Sequence, residues 1–396
     1  MIEKNRVTIF AKTKFWMVVL LFPVLGFGQE FFPLPKPTHY AAGLPQSKLV
    51  VVKEIPLDFN DDVFMAEPTE IAVNKNGQIY IFDKKLLKVF MVNSKGEYVG
   101  QFLEKGIGPG ETFPQGEFGW KIYAGWNDKF YISDRKNAKI IEFTDSGRYL
   151  RDIKTNRTQR FSGTFYPIVD KNGFFYIYSK NGGIIDQMDN QMKLVHTYLQ
   201  KELNNHHIYC KPDFLKFYSG IKSKKELESS KLKEFFKSQF WLDASTINTT
   251  CDITANGLLF IYLHRPSTVY LFNGKNLLRK FDVLIDSVLA NYKKTIDIII
   301  NVGKKKKSDF FFHTDVPLFL SCVVDYDAPY FYLQAIGQKQ FILFQIDFTG
   351  KLIRILTFPK ELRVTLMAKR NGLFYGIVRN TDEDECYPII FKSEGK

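Results

Sequence analysis

Cysteine is scarce in this chain of 396 residues, and its spacing argues against one common chemistry. Cys210, Cys251, Cys322 and Cys386 show no CxxC pair or other metal-ligand spacing, so a thiolate zinc site is excluded and no disulfide pairing can be read. Histidine is also sparse: His39, His196, His206, His207, His264 and His313. Only His206, His207 and Cys210 fall close together, and they lack a fourth ligand, so they read as a solvated loop. The GxSxG nucleophile elbow, the Walker Lys-Ser/Thr and the dinucleotide GxGxxG are all missing. Asp186, Asp189 and Asn190 do not follow the calcium-loop pattern. The sequence therefore assigns no catalytic residue, no metal ligand and no cofactor.

Long apolar runs are lacking too, with one exception near the start. Lys4, Arg6, Lys12 and Lys14 precede the run Phe15 to Phe27, and the small residues Gly26 and Gly28 at its end sit where a signal peptidase requires them. Pro23 breaks the run, which is shorter than the roughly 20 residues that span a bilayer. Residues 1–28 are thus expected to be a secretory signal peptide. The exported protein, periplasmic or extracellular, would begin at Gln29 with no transmembrane anchor after cleavage.

What the chain has in quantity is positive charge and aromatic side chains. The formal net charge is +13, and removing a leader that holds four Lys/Arg and Glu3 leaves +10. For an exported protein that favours an acidic glycan, peptide or envelope protein as partner, with no nucleic acid. Phe 38 and Tyr 20 are concentrated in strand-like runs such as Gln78 to Phe82 and Phe174 to Tyr178. The mature length exceeds the usual size of one compact core, which points to two domains or to a repeat.

The repeat is visible. Sliding Ile71 to Phe102 forward by 51 residues without a gap sets Ile71 on Ile122, Tyr80 on Tyr131, Asp83 on Asp134, Phe90 on Ile141, Gly96 on Gly147, Tyr98 on Tyr149 and Phe102 on Ile153. Further copies align on Asn76-Gly77, Asn172-Gly173, Asn256-Gly257, Asp327-Ala328 and Asn371-Gly372, each before a strand. Asn-Gly between strand-like runs signals a tight hairpin, both of whose central residues would take positive φ. The aromatic column reads Tyr80, Tyr131, Tyr176, Phe260, Phe331 and Tyr375, giving six copies. Each copy holds four short strands, the last opened by a glycine turn at Gly96, Gly147, Gly274 or Gly350.

Four-stranded units repeated radially predict an all-β fold: a six-bladed β-propeller over 48–396, preceded by a linker at 29–47. The segment Lys48 to Phe59 alternates as a strand and is expected to complete the last blade, closing the ring. Column spacings of 51, 45, 84, 71 and 44 place two partly helical inter-blade insertions, 201–248 and 284–315. Connections of that length are usually functional or mobile.

Gly106-Ile-Gly-Pro-Gly-Glu111 and Phe113-Pro114, followed by Tyr131-Ile-Ser-Asp134, Asn137, Lys139-Ile-Ile and Gly147, resemble the NHL repeat. They are similar to the secreted NHL-like six-bladed propellers common in Bacteroidetes. The resemblance implies the six-bladed fold and a binding role. The Gly106 to Glu111 loop lacks the Lys-Ser/Thr and following helix of a phosphate-binding loop, so it reads as an inter-blade turn.

Two columns carry the functional expectation. At the ends of the inner strands, the positions lining the channel read Glu70, Lys121, Tyr166, Thr250, Ser321 and Thr365, and one carboxylate in six makes a poor calcium site. Four residues after the aromatic, the positions read Lys84, Arg135, Lys180, His264, Ala335 and Arg379, reinforced by Lys85, Lys136 and Arg265. These fall between the second and third strands, on the face that also carries the inter-blade connections. A ring of cations around a concave mouth focuses positive potential. The expectation is a non-catalytic, monomeric binding platform that holds an anionic partner there. The alternative is a metal-assisted hydrolase or lyase in the channel.

Overall fold

The computed structural model describes residues 19–20, 36–113, 120–134, 136–155, 165–179, 184–200, 249–264, 267–292, 311–312, 318–337, 340–380 and 385–394. Within them the chain is built from antiparallel four-stranded sheets joined in sequence order. Blade one comprises Pro68–Val73, Ile79–Asp83, Lys88–Val92 and Tyr98–Phe102; blade two comprises Trp120–Ala124, Lys129–Asp134, Lys139–Thr144 and Tyr149–Lys154. Blade three runs Phe165–Val169, Phe175–Ser179, Ile185–Met188 and Leu194–Tyr198, and blade four Thr249–Ile253, Leu259–Leu263, Thr268–Asn273 and Asn276–Asp282. Blade five runs Ser321–Val324, Tyr330–Ile336, Phe341–Asp347 and Leu352–Thr357. The first strands lie side by side in chain order, and that of the last blade, Val364–Arg370, returns to Pro68–Val73.

The last blade takes three strands from the C-terminus, Val364–Arg370, Leu373–Asn380 and Glu385–Ser393, and its outer strand from the N-terminus, Gln46–Glu54. Leu49 to Glu54 pair antiparallel with Ser393 to Ile389, while Gln46 to Lys48 pair parallel with Ile355 to Thr357 of blade five. One strand therefore bridges two blades. Upstream, Thr38 and His39 donate backbone hydrogen bonds to the Leu284 carbonyl, pinning the N-terminal segment between blades four and five.

Alternating side chains of each sheet interdigitate with those of the next. An apolar cluster fills each of the six blade-to-blade seams, from Tyr80, Phe82 and Phe130 between blades one and two to Ile79, Ile81 and Tyr375 between blades six and one. The core is thus distributed around the ring, as a repeat of this length requires.

The turn chemistry differs from expectation. Only in the last blade do both central residues, Asn371 and Gly372, take positive φ, at 52° and 73°. In blade one Gly77 alone does so among its turn residues, and the Asn74 side chain accepts the N–H groups of Asn76 and Gln78. Asp170 does the same in blade three. These loops are one residue longer, so a side-chain carbonyl or carboxylate substitutes for the second left-handed residue.

The outer strand of every blade carries a bulge, shown by register shifts at Met91/Val92, Glu142/Phe143, Gln187/Met188, Leu271/Phe272, Gln345/Ile346 and Val51/Lys53. The extra residues are Val99, Leu150, Val195, Leu278, Ile353 and Val52. Bulging the edge strand disrupts its free hydrogen-bonding row and so discourages pairing with a second molecule.

Candidate functional site

The loops between second and third strands share one face with the inter-blade connections, because alternate hairpin turns fall on opposite faces. In blades one and two a buried aspartate fastens these two kinds of loop together. Asp83 accepts the backbone N–H groups of Lys85 and Leu86 with one oxygen and those of Ala66 and Glu67, in the preceding connection, with the other. Asp134 accepts from Asn137 and from the Thr112 hydroxyl, which in turn accepts from the Trp120 indole. The loop from Gly106 to Glu111 belongs to that connection and folds around its own carboxylate. Glu111 Oε2 accepts the Gly108 N–H at 2.8 Å, and a Cβ on Gly106 would lie 1.9 Å from it. The loop is an inter-blade turn whose anion site is already filled.

On this clamped face the structure places some of the expected cations and not others. Lys85, Lys136 and Arg379 are exposed. Lys84 is half-buried, 3.5 Å from Glu67, and the Lys136 ammonium lies 4.0 Å from the centre of the Phe113 ring. Arg135, Lys180 and Arg265 lie outside the described residues, as do the expected signal peptide apart from Val19–Leu20, which pair with Phe311–Phe312, the insertion 201–248 and the lysine run of the second insertion. That second insertion begins as a helix at 286–292. His264 is buried, its Nε2 3.0 Å from the Thr250 hydroxyl and its ring packed on Tyr262, so it does not stand on the exposed rim. The aromatic column also shifts by one in blade five. Tyr332, not Phe331, pairs with the inner strand at the step taken by Tyr80, because the preceding turn 326–329 is longer. The blade-five position of the basic column is then Ile336, which is exposed and apolar.

Inside the ring, Glu70, Lys121, Tyr166, Thr250, Ser321 and Thr365 occupy one register step and are all partly accessible, whereas Ile71, Ile122, Pro167, Cys251, Cys322 and Leu366 beside them are buried. That alternation turns the first set toward the lumen. Lys121 pairs with Glu70 of blade one and lies 5.3 Å from the centre of the Tyr166 ring of blade three.

The far end of the lumen is bridged by a cluster that sequence reasoning missed. Asp252 of blade four accepts hydrogen bonds from the Tyr326 and Tyr123 hydroxyls and from the Ile253 N–H. The Arg370 guanidinium lies 4.3 Å and 4.7 Å from the ring centres of Tyr326 and Trp126 and donates to the Val73 carbonyl. The Trp126 indole donates to the Ile253 carbonyl at 3.0 Å. Blades one, two, four, five and six thus meet at a floor. Burial pushes the Asp252 carboxyl up to about 6, against the lowering pull of the Tyr326 hydroxyl, the Ile253 N–H and the Arg370 charge. Burial also raises the Tyr123 and Tyr326 hydroxyls well above their usual range. These residues come from separate blades with no common spacing, so no local motif announces them.

Among the described residues no group of three or more His, Cys, Asp or Glu side chains is placed to hold a metal ion. Nor is any helix among them long and apolar enough to cross a membrane.

A family model described as 6-bladed beta-propeller, DUF5128, matches residues 42–240. No curated protein matches the chain. Among solved structures, a DUF4221-family member from Bacteroides vulgatus superposes with a TM-score of 0.51 at 10% identity, covering 88% of this chain and 99% of its own. A protein of Bacteroides fragilis described as a candidate exported protein does so with a TM-score of 0.50 at 11% identity, again over 88% and 99%. At such identities the likeness is one of fold.

Proposed function

The chain belongs to the DUF5128 family of six-bladed β-propellers, and from that premise we propose that it is an exported, non-catalytic platform that holds an anionic glycan, peptide or protein at one mouth of its channel. The observation that carries this is the polarity of the ring. A bonded floor bridges one end of the lumen, while the other end is bordered by loops that the Asp83 and Asp134 carboxylates fasten to the inter-blade connections. Those fastened loops present Lys85 and Lys136, and the last blade adds Arg379. Arg135, Lys180 and Arg265 extend the same column in sequence, with Lys84 and His264 set further in. Cations held on rigid turns around a concavity attract polyanions and lose that attraction as salt screens them.

The test is retention on immobilised heparin and alginate, with neutral dextran as control, between 50 mM and 500 mM salt. Wild type is expected to bind both polyanions at low salt. The triple variant Lys85→Glu, Lys136→Glu, Arg379→Glu is expected to lose at least ten-fold in affinity while melting within a few degrees of wild type. Equal retention of variant and wild type refutes the reading.

A further inference from the structure

Beneath the mouth lies a layer of side chains whose chemistry differs from the rim. All six lumen-facing positions at one level are polar: Glu70, Lys121, Tyr166, Thr250, Ser321 and Thr365. Chance does not readily give six polar residues at one register step of inner strands whose intervening positions are apolar. Water-filled structural lumens do not require it either, since exposed apolar atoms are tolerated at protein surfaces.

The charges in this well balance locally. Lys121 is paired with Glu70, and at the floor the Arg370 guanidinium sits beside Tyr326, whose hydroxyl bonds Asp252. A further ion brought into the well would give up its hydration with no unpaired counter-charge waiting, which is costly. A neutral, hydroxyl-rich guest meets no such penalty, because it exchanges water hydrogen bonds for equivalent ones. The layer retains the capacity to make them. An ammonium has three donors and Lys121 uses one on Glu70; a carboxylate has two oxygens and Glu70 uses one on Lys121; a hydroxyl both donates and accepts. Ser321 donates to Gln334 and Thr250 meets His264, so their hydroxyls are held in fixed orientations rather than spinning freely. One step deeper, the partly accessible Tyr123 and Met367 give an aromatic ring and a thioether against which the C–H face of a pyranose can rest.

We infer that this well is a subsite for one uncharged sugar residue, so that the partner at the mouth is a glycan carrying neutral as well as acidic residues. The inference rests on the proposed binding role of the mouth and selects among its partner classes. Neutral sugar in the well fixes the register of the chain; acidic residues on the rim supply the long-range attraction.

The experiment uses the full chain and two kinds of probe. A panel of methyl pyranosides of glucose, galactose, mannose and N-acetylglucosamine is examined by ligand-observed saturation transfer and calorimetry at 50 mM and 500 mM salt, with heparin binding measured in parallel. At least one neutral pyranoside is expected to bind in the millimolar range with an affinity that salt changes less than two-fold. Thr365→Val with Tyr166→Phe is expected to weaken it at least ten-fold while leaving heparin binding within two-fold. Ser321→Ala is a second, smaller alteration in case the double variant does not fold, and three-fold weakening is expected of it. Polyanion binding with no neutral pyranoside bound overturns the subsite and leaves the mouth reading standing. Pyranoside binding unaffected by every well variant also overturns it. Loss of polyanion binding with pyranoside binding intact refutes the mouth reading while the well remains.

Discussion

Asp252 offers a quantitative test of the lumen floor. Its carboxyl is raised from 3.8 to about 6 chiefly by burial, so the folded protein holds this proton more tightly than the unfolded chain does. The stability that follows from the shift is fully present below pH 3.8 and is lost as pH rises through about 6. At about 1.36 kcal/mol per pH unit, the whole titration is worth about 3 kcal/mol and the window from pH 4.5 to pH 8 about 2. Asp252 as a residue remains partly accessible, so solvent screening makes about 2 kcal/mol the upper end. In Asp252→Asn nothing ionises, although the amide oxygen can still accept from the Ile253 N–H or from one tyrosine. Urea unfolding of both proteins, followed by tryptophan fluorescence, isolates this group from every other carboxylate. The variant is expected to gain about 1 to 2 kcal/mol relative to wild type between pH 4.5 and pH 8. A difference that stays constant across that range, or a wild type that gains with rising pH, refutes the reasoning. The second result would mean that the Arg370 charge and the tyrosine hydroxyls outweigh burial.

Three other outcomes follow from named contacts. Asp83→Ala leaves the N–H groups of Ala66, Glu67, Lys85 and Leu86 without their acceptor, and is expected to cost at least about 3 kcal/mol in urea unfolding. Val99→Lys, at a bulge on an outer edge strand, is expected to change stability by less than about 0.5 kcal/mol and to leave the protein unaggregated on gel filtration. Burial raises the thiols of Cys251 and Cys322 well above their usual range. Iodoacetamide at pH 8 is therefore expected to leave both unmodified in the folded protein and to label both in urea, as peptide mass mapping would show.

Much of the ring was legible because its repeat is spaced along the chain. The 51-residue slide from Ile71 to Ile122 identifies two blades that the structure shows with matching strands, and strand-like alternation after Lys48 leads to the outer strand of the last blade. The repeat alignment falls one residue out of step in blade five because a four-residue turn replaces the shorter ones, and nothing in Asp327-Ala328 reports that length. The turn geometry departs from the Asn-Gly expectation where Asn74 and Asp170 fasten the loop with their side chains. Their signal was present, since each stands two residues before an Asn-Gly. The cation column was read from identity alone, and identity does not reveal depth: His264 follows a fully apolar strand and turns inward to Thr250, whereas Lys85 and Lys136 follow buried aspartates and turn out. The floor was invisible because closing the ring brings together positions as distant as Val73 and Arg370.

The most direct measurement of the central claim is heparin affinity of the wild type and of the Lys85→Glu, Lys136→Glu, Arg379→Glu protein as a function of salt. Steep salt-dependent binding by the wild type, lost at least ten-fold in a variant that still unfolds like wild type, is the predicted result. Binding that is absent at low salt, or that survives the three reversals unchanged, contradicts the claim that the mouth holds an anionic partner.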